Sequence, residues 1–279
     1  MSNIAVIGIV GNSVFLPVDH FHKGGETIEA TSLHFEPGGK GFNQAVAAKR
    51  CGAGVSFLAA VGYEYRSEFA AFLDGEGINH TLVFKDESTA FAAIVTDKTG
   101  SNHVTVYQGA QLSPGDVSLF EDSIKSADVL LLNNEVSEAV NVEAIKIAKK
   151  HGVKCILNPA PARVTSDFVL ESIDLFTPNE HELLGIEYKE NVIVTLGAKG
   201  CLIKSTGEEI PGASFGAAVD TTGAGDTFNG VLTAMIADGY TLADSAKIAN
   251  KVAALGVTRK YAVSSIPTAN KIKEIINCK

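Results

Sequence analysis

Residues 220–230, Asp-Thr-Thr-Gly-Ala-Gly-Asp-Thr-Phe-Asn-Gly, put two aspartates, three threonines and three glycines into eleven positions. An apolar run at 217–219 leads in and an amphipathic segment at 228–237 follows, which predicts a tight turn feeding the N-terminus of a helix. Such a turn holds anions. Gly223 and Gly225, with Ala224 between them, let successive backbone N–H groups converge on one point, where the helix dipole adds roughly half a positive charge. Asp226 then stands where a hydroxyl would meet a bound phosphate. Phosphoryl transfer needs a carboxylate to orient and deprotonate the nucleophile, beside donors for the transferring group. A helix cap alone would need one Asp, Ser or Thr.

The elements that must position this turn are legible as short Val-, Ile- and Leu-rich runs at 4–10, 56–60, 129–132, 154–157, 175–177 and 192–196. Their unbroken apolarity predicts strands buried on both faces, as in a parallel sheet covered by helices. Helices are predicted at 41–51, 67–76, 137–151, 228–238, 242–258 and 269–277. The segments 14–35 and 88–108 instead alternate polar and apolar residues, which predicts antiparallel strands wet on one face. The expected architecture is α/β: a large domain from 1–10, 36–87 and 109–279, and a small β lid from 11–35 and 88–108.

In open parallel sheets ligands bind beyond the carboxyl ends of the strands, and polar groups gather there repeatedly: Asn133, Asn134 and Glu135; Asn158 with Pro159 and Pro161; Pro178 and Asn179; Thr195 and Gly197. The coincidence across strands carries the inference, since each alone reads as a turn. Residues 37–45 form a second glycine-rich entry to a helix. It is not a Walker A loop, because His34 stands where the first glycine belongs and Lys40 is followed by Gly41. Its backbone could approach a polyhydroxylated substrate, with Lys40 and Asn43 as donors, or be a plain flexible turn. Asn179, followed by Glu182 and an apolar pair, is a capping-box pattern, and a helix start explains it by spacing alone. His20 and His22 read as an exposed pair, since a zinc site needs further ligands nearby.

Net charge is −9, and no run of Lys or Arg exceeds two residues, so a nucleic-acid footprint is missing. With no Trp and 7% aromatic residues, base-stacking platforms are also poorly supplied. Cys51, Cys155, Cys201 and Cys278 lack a CxxC pair, and neither a leader peptide nor an apolar run of membrane-spanning length is evident, so a cytoplasmic protein without membrane partners is expected.

Taken together, the segments 38–48, 158–162, 177–180, 195–197, 220–230 and 257–260 resemble the ribokinase-like (PfkB) carbohydrate kinase family, closest to its ribokinase branch, over nearly the whole chain. The resemblance implies an ATP-dependent sugar kinase with a doubly wound sheet, a β lid that often makes a homodimer, magnesium, and activation by potassium. It implies Asp226 as general base and Gly223, Ala224 and Gly225 as the anion hole. Ser13, Gly39, Lys40, Asn43 and Glu135 would bind the sugar, and Thr195, Gly197, Gly200, Gly225 and Asn250 the nucleotide. Asn179 and Glu182 would serve the magnesium and phosphate region, and Asp220, Thr222 and Ser265 the monovalent cation.

Three departures stand out. The family usually carries an Asn-x-Asp after the first strand to grip the sugar, where this chain has Gly11 and Ser13. A serine cannot replace a charged bidentate acceptor, a loss of about 1.5 to 3 kcal/mol. Ribose is the first substrate the resemblance implies, but this departure counts against it and keeps another sugar, a sugar acid or a nucleoside as alternatives, with a catalytically silent binding module as the reading from a different class. Tyr261 replaces a glycine, and six residues between Gly185 and Val192 replace a further helix.

Overall fold

A computed structural model describes residues 2–98 and 101–277. In chain order the elements are β1 (Asn3–Ile7), β2 (Gly11–Pro17), β3 (His34–Gly38), α1 (Lys40–Arg50), β4 (Gly54–Val61), α2 (Arg66–Glu76), β5 (Asn79–Phe84), β6 (Ala90–Thr96), β7 (Asn102–Tyr107), α3 (Glu121–Lys125) and β8 (Val129–Asn133). There follow α4 (Glu138–Lys150), β9 (Lys154–Asn158), α5 (Asp167–Ser172), β10 (Leu175–Phe176), β11 (Ile193–Thr195), β12 (Gly200–Ile203), β13 (Glu208–Pro211), α6 (Ala224–Ala237), α7 (Leu242–Gly256) and α8 (Ala269–Asn277).

Six strands form a parallel sheet in the order β10-β9-β8-β1-β4-β5. Side chains alternate across it. Ile4 and Val6 enter a core shared with α1, α6 and α7, whereas Ala5 and Ile7 enter one shared with α4. Burial on both faces is the physical reason these runs are continuously apolar. The strand order switches sides at β1, with β4 and β5 added on one side and β8 to β10 on the other, so the carboxyl edge there opens a crevice. At that edge α1 sits very close to β1: a Cβ on Gly8 would fall 2.6 Å from the Cα of Gly41.

Three expectations need correction. Residues 192–196 are not a further strand of the parallel sheet: β11 pairs antiparallel with β12, and only isolated bridges at Phe176–Val192 and Asn179–Thr195 tie it back to β10. Gly197 (φ 57) and Gly200 (φ 103) reverse the chain there. The second sheet, ordered β3-β2-β6-β7, is not purely antiparallel, because β2 and β6 pair in parallel from Gly11↔Ala90 to Pro17↔Thr96. Residues 18–33 form no strand. Finally, α6 begins at Ala224, four residues before the expected start, which brings Asp226 into its first turn.

Cys51, Cys155 and Cys201 are free thiols, and Cys278 lies outside the described residues. No described helix is long and apolar enough to cross a membrane.

Candidate active site

Gly223 is the residue before α6 and takes φ 76, a left-handed conformation that glycine adopts without strain. No side chain caps the helix; the Ala224 N–H donates to the Thr221 carbonyl (3.2 Å), which leaves the N–H groups of Gly225 and Asp226 in the first turn for another acceptor. Asp226 does not act as a cap. Its carboxylate, 7% exposed, faces α1, where Oδ2 accepts from Asn43 Nδ2 (3.0 Å) and Oδ1 from Gln44 Nε2 (3.2 Å). Both amides lie on one face of α1 with Lys40, at the i, i+3 and i+4 spacing that a helix stacks together. The two helices meet this closely because Gly230 has no side chain; a Cβ there would fall 2.3 Å from the carbonyl oxygen of Gln44.

A ring of hydrogen bonds fixes Asp226 further. Gln44 Nε2 also donates to Asn158 Oδ1 (3.1 Å), and Asn158 Nδ2 donates to the carbonyl of Thr177 (2.9 Å). The Thr177 hydroxyl donates to Asn229 Oδ1, and Asn229 Nδ2 donates to the carbonyl of Gly225 (2.8 Å). The network thus leaves the first turn of α6 through Asp226 and returns to it at Gly225.

Charges converge at the same place. Glu135 Oε2 accepts from the backbone N–H of Lys40 (2.7 Å). Asp226 foremost, then Glu135 and Glu182, push the Lys40 ammonium above its ordinary pKa, while burial opposes them. Burial raises the Asp226 carboxyl, against Lys40 and the two amides. Glu135 is pushed up to about 7, mainly by burial. A carboxylate with a raised pKa, facing a cavity beside open helix N–H groups, can take a proton from an alcohol while those N–H groups hold an anion.

The cavity measures about 260 Å³ and lies between the β3-β2-β6-β7 sheet, with Ser13, Gly38 and Ile94, and the first turns of α1 and α6 with their flanking loops, with Gly39, Lys40, Asn43, Glu135, Thr222, Gly223 and Asp226. The chain matches the model of pfkB family carbohydrate kinases over residues 1–269. It belongs to that family. It is 35% identical to a ribokinase of Haemophilus influenzae over 301 aligned residues, covering 98% of each chain. Ribokinase from Thermotoga maritima superposes with a TM-score of 0.87 at 31% identity over 99% of both chains. Arabidopsis thaliana ribokinase complexed with ribose and ATP does so with 0.83 at 25% identity over 100% of both. The chain is accordingly a carbohydrate kinase, a phosphotransferase with an alcohol acceptor that uses ATP.

Of the residues the family resemblance singles out, Ser13, Gly39, Lys40, Asn43, Glu135, Thr222, Gly223 and Asp226 meet at this cavity, with Ala224 and Gly225 in the adjoining turn. Asn179, Glu182, Thr195, Gly197, Gly200, Asn250, Asp220 and Ser265 do not line it. Asn179 and Glu182 form one half of a capping box: Asn179 N donates to Glu182 Oε2 (2.9 Å) and Asn179 Nδ2 to Oε1 (2.8 Å), but Asn179 Oδ1 accepts from the N–H of His181 (2.8 Å) and not from that of Glu182. They close a turn, and no helix follows, which corrects the expectation from spacing. Thr195 donates its N–H to the carbonyl of Pro178 (2.9 Å), and Gly197 opens the turn after it. Gly200 and Asn250 pack against the β12–β13 hairpin: a Cβ on Gly200 would fall 2.0 Å from the Ile210 carbonyl oxygen, toward which Asn250 Nδ2 also points (3.4 Å). Asp220 accepts from the N–H of Thr222 (2.9 Å) and of Tyr261 (2.8 Å), and the Ser265 hydroxyl donates to the carbonyl of Ala262 (2.7 Å). Tyr261 takes φ 75, the left-handed conformation that glycine adopts without strain.

Sequence reasoning gave no role to Gln44, and it read Asn158 and Thr177 only as turn and motif residues. The helical spacing of Gln44 with Lys40 and Asn43 was the available signal. His20 pairs with Glu26 (3.0 Å) in the stretch after β2, and no cluster of three metal-ligating side chains occurs among the described residues.

Proposed function

We propose that this kinase transfers the γ-phosphoryl group of MgATP to the primary hydroxyl of ribose, with Asp226 as general base. One observation carries the reading: the Asp226 carboxylate, fixed by Asn43 and Gln44, faces a sugar-sized cavity from the first turn of an uncapped helix. The sugar oxygen bonds to the γ-phosphorus as the bond from that phosphorus to the β-phosphate oxygen breaks. The hydroxyl proton passes to Asp226, and ADP leaves with the electron pair. The N–H groups of residues 223–225 bind the transferring oxygens. Lys40, Asn43, Glu135, Gly39 and Ser13 orient the sugar. Supporting the choice of ribose are the relatives named ribokinase, one of them complexed with ribose and ATP.

Thr195, Gly197, Gly200, Gly225 and Asn250 take the nucleotide side in this proposal. Magnesium supplies charge neutralisation on the phosphates. Glu182 fits that task, because a hydrated magnesium shared with phosphates needs only one or two carboxylates, and Glu182 lies close enough to raise the pKa of Lys40. For a potassium ion the fit rests on Thr222, whose buried Oγ1 has no hydrogen-bond partner, beside Asp220 and Ser265. Segments 11–35 and 88–108 act as the lid. Its outer face carries Phe35 and Tyr107, more than half exposed, with Phe91, Val14 and Ala93 in register between them, and we assign a second copy of the chain to cover it. A monomer by analytical ultracentrifugation would refute that assignment. The cytoplasm is the compartment proposed, where ATP and free sugars meet.

One feature favours a second reading. Around Ser13 the cavity wall is Gly38, Ala90, Ala92, Ile94 and Ala262, with Asn12 as the neighbouring polar residue, so this end offers the sugar's remaining hydroxyls no carboxylate. A deoxypentose suits this end, since an unpaired buried hydroxyl costs about 1 to 3 kcal/mol. The experiment is coupled ADP detection across ribose, 2-deoxyribose, hexoses, sugar acids and nucleosides, with the product's phosphorylated carbon read by NMR. Sugar binding without ADP formation anywhere in the panel would refute the proposal.

A further inference from the structure

Strand β3 carries a carboxylate that the chemistry above does not use. Glu36 is 5% exposed and accepts four hydrogen bonds from one short stretch of chain. Its Oε1 accepts from the N–H groups of Ala262 (2.7 Å) and Val263 (3.0 Å), and its Oε2 from the N–H (3.1 Å) and the hydroxyl (2.5 Å) of Ser264. Three successive N–H groups around one carboxylate form an anion nest, here filled from within the protein. From the opposite side the same stretch is held by Asp220, which accepts from the N–H of Tyr261 and, in its own turn, of Thr222. Ala262 rests directly on Gly223: a Cβ added there would lie 3.2 Å from the Cα of Ala262. The Tyr261 ring stacks on His34, also on β3, with centroids 3.7 Å apart and planes at 11°.

We propose that Glu36 is a positioning residue that couples the β2–β7 sheet to the anion turn. By holding residues 262–264 it fixes Ala262 against Gly223, and so sets the curvature of the backbone whose N–H groups receive the phosphoryl group. The proposal rests on the reading of that turn as the phosphoryl site. Its physical basis is that four donors aimed at one buried carboxylate cannot all be satisfied by a neutral side chain. Glu36 lies far from residues 262–264 in sequence, so the constraint acts between strand β3 and the segment after α7 and not within a local turn.

The test is Glu36→Gln, which keeps size and burial but turns an NH2 toward one side of the nest. Below the melting temperature, kcat should fall at least tenfold while the sugar KM stays within twofold, because Lys40, Asn43 and Glu135 are untouched. Amide hydrogen exchange supplies a readout independent of turnover: protection should fall in residues 219–226 as well as 261–265. Exchange that rises in 261–265 alone overturns the coupling, whatever happens to kcat. Faster exchange in both segments with kcat unchanged leaves the coupling standing and refutes the phosphoryl-site reading instead. Should Glu36→Gln fail to fold, Glu36→Asp is measured by the same two readouts, with smaller losses expected in both segments and the same result overturning the proposal.

Discussion

Replacing Asp226 with asparagine isolates the charge and basicity of one group, because the surroundings can absorb the new amide. Asp226 accepts from Asn43 and from Gln44, so an asparagine would set its NH2 against one of these donors. Gln44 cannot turn over without facing the oxygen of Asn158, which is itself held by donation to Thr177. Asn43 can, since its Oδ1 is buried without a partner. Flipping Asn43 restores both bonds, and removing a buried charge offsets what Lys40 loses, so stability should change by no more than about 1 kcal/mol. Turnover should fall ~10²- to 10⁴-fold, or about 3 to 5 kcal/mol in the barrier. The measurement pairs coupled ADP detection on the best substrate with calorimetric ATP binding and thermal melting of the same preparation. Turnover within tenfold of the parent enzyme, with the fold intact, would refute the role of Asp226 as base.

The Glu135 carboxyl, raised from 4.5 to about 7, binds its proton more tightly in the folded chain than in the unfolded one. Stability should therefore fall as pH rises from about 4.5 through 7 and then level off, and Glu135→Gln should remove that slope; melts that keep the same pH dependence in the variant would contradict the assignment. Gly230→Ala should cost about 1 to 3 kcal/mol and lower turnover as well, because its methyl would press on the Gln44 carbonyl and drive α1 from α6; an unchanged melting temperature in urea or heat would show that the contact is slack. At Tyr261, Ala and Gly both delete the ring stacked on His34, but only Gly relieves φ 75, so Tyr261→Gly should be the more stable by about 1 kcal/mol, and equal stabilities would mean that the backbone there is unstrained.

What could be read from the sequence follows the range of the interactions. The turn before α6 is local, a glycine pair before a helix, and Asp226 could be singled out as a candidate from its neighbours alone. The parallel sheet was legible because burial on both faces leaves unbroken apolar runs, though the half-buried edge strand β5 and the β12–β13 hairpin were not recognised. The parallel pairing of β2 with β6 was not legible, since alternation marks a one-sided strand without giving its direction. Glu36 could not be found, because its partners lie more than 220 residues away and a single glutamate in a strand carries no periodic signal. Asn179 and Glu182 show the converse: one of the two local bonds that the spacing predicted is formed, yet the helix they would have started is missing from the short segment beyond them.

The double donation by Gln44 has a consequence for the catalytic cycle. One amide nitrogen spans the end of β9 and the start of α6, so the Asp226 carboxylate is anchored to the rim of the central sheet. On the proposed reading of Asp226 as the base, rearrangement between substrate entry and product exit falls on the sugar, the nucleotide and the sheet that overhangs them, while Asp226 stays put as a fixed reference against which the incoming oxygen is aligned.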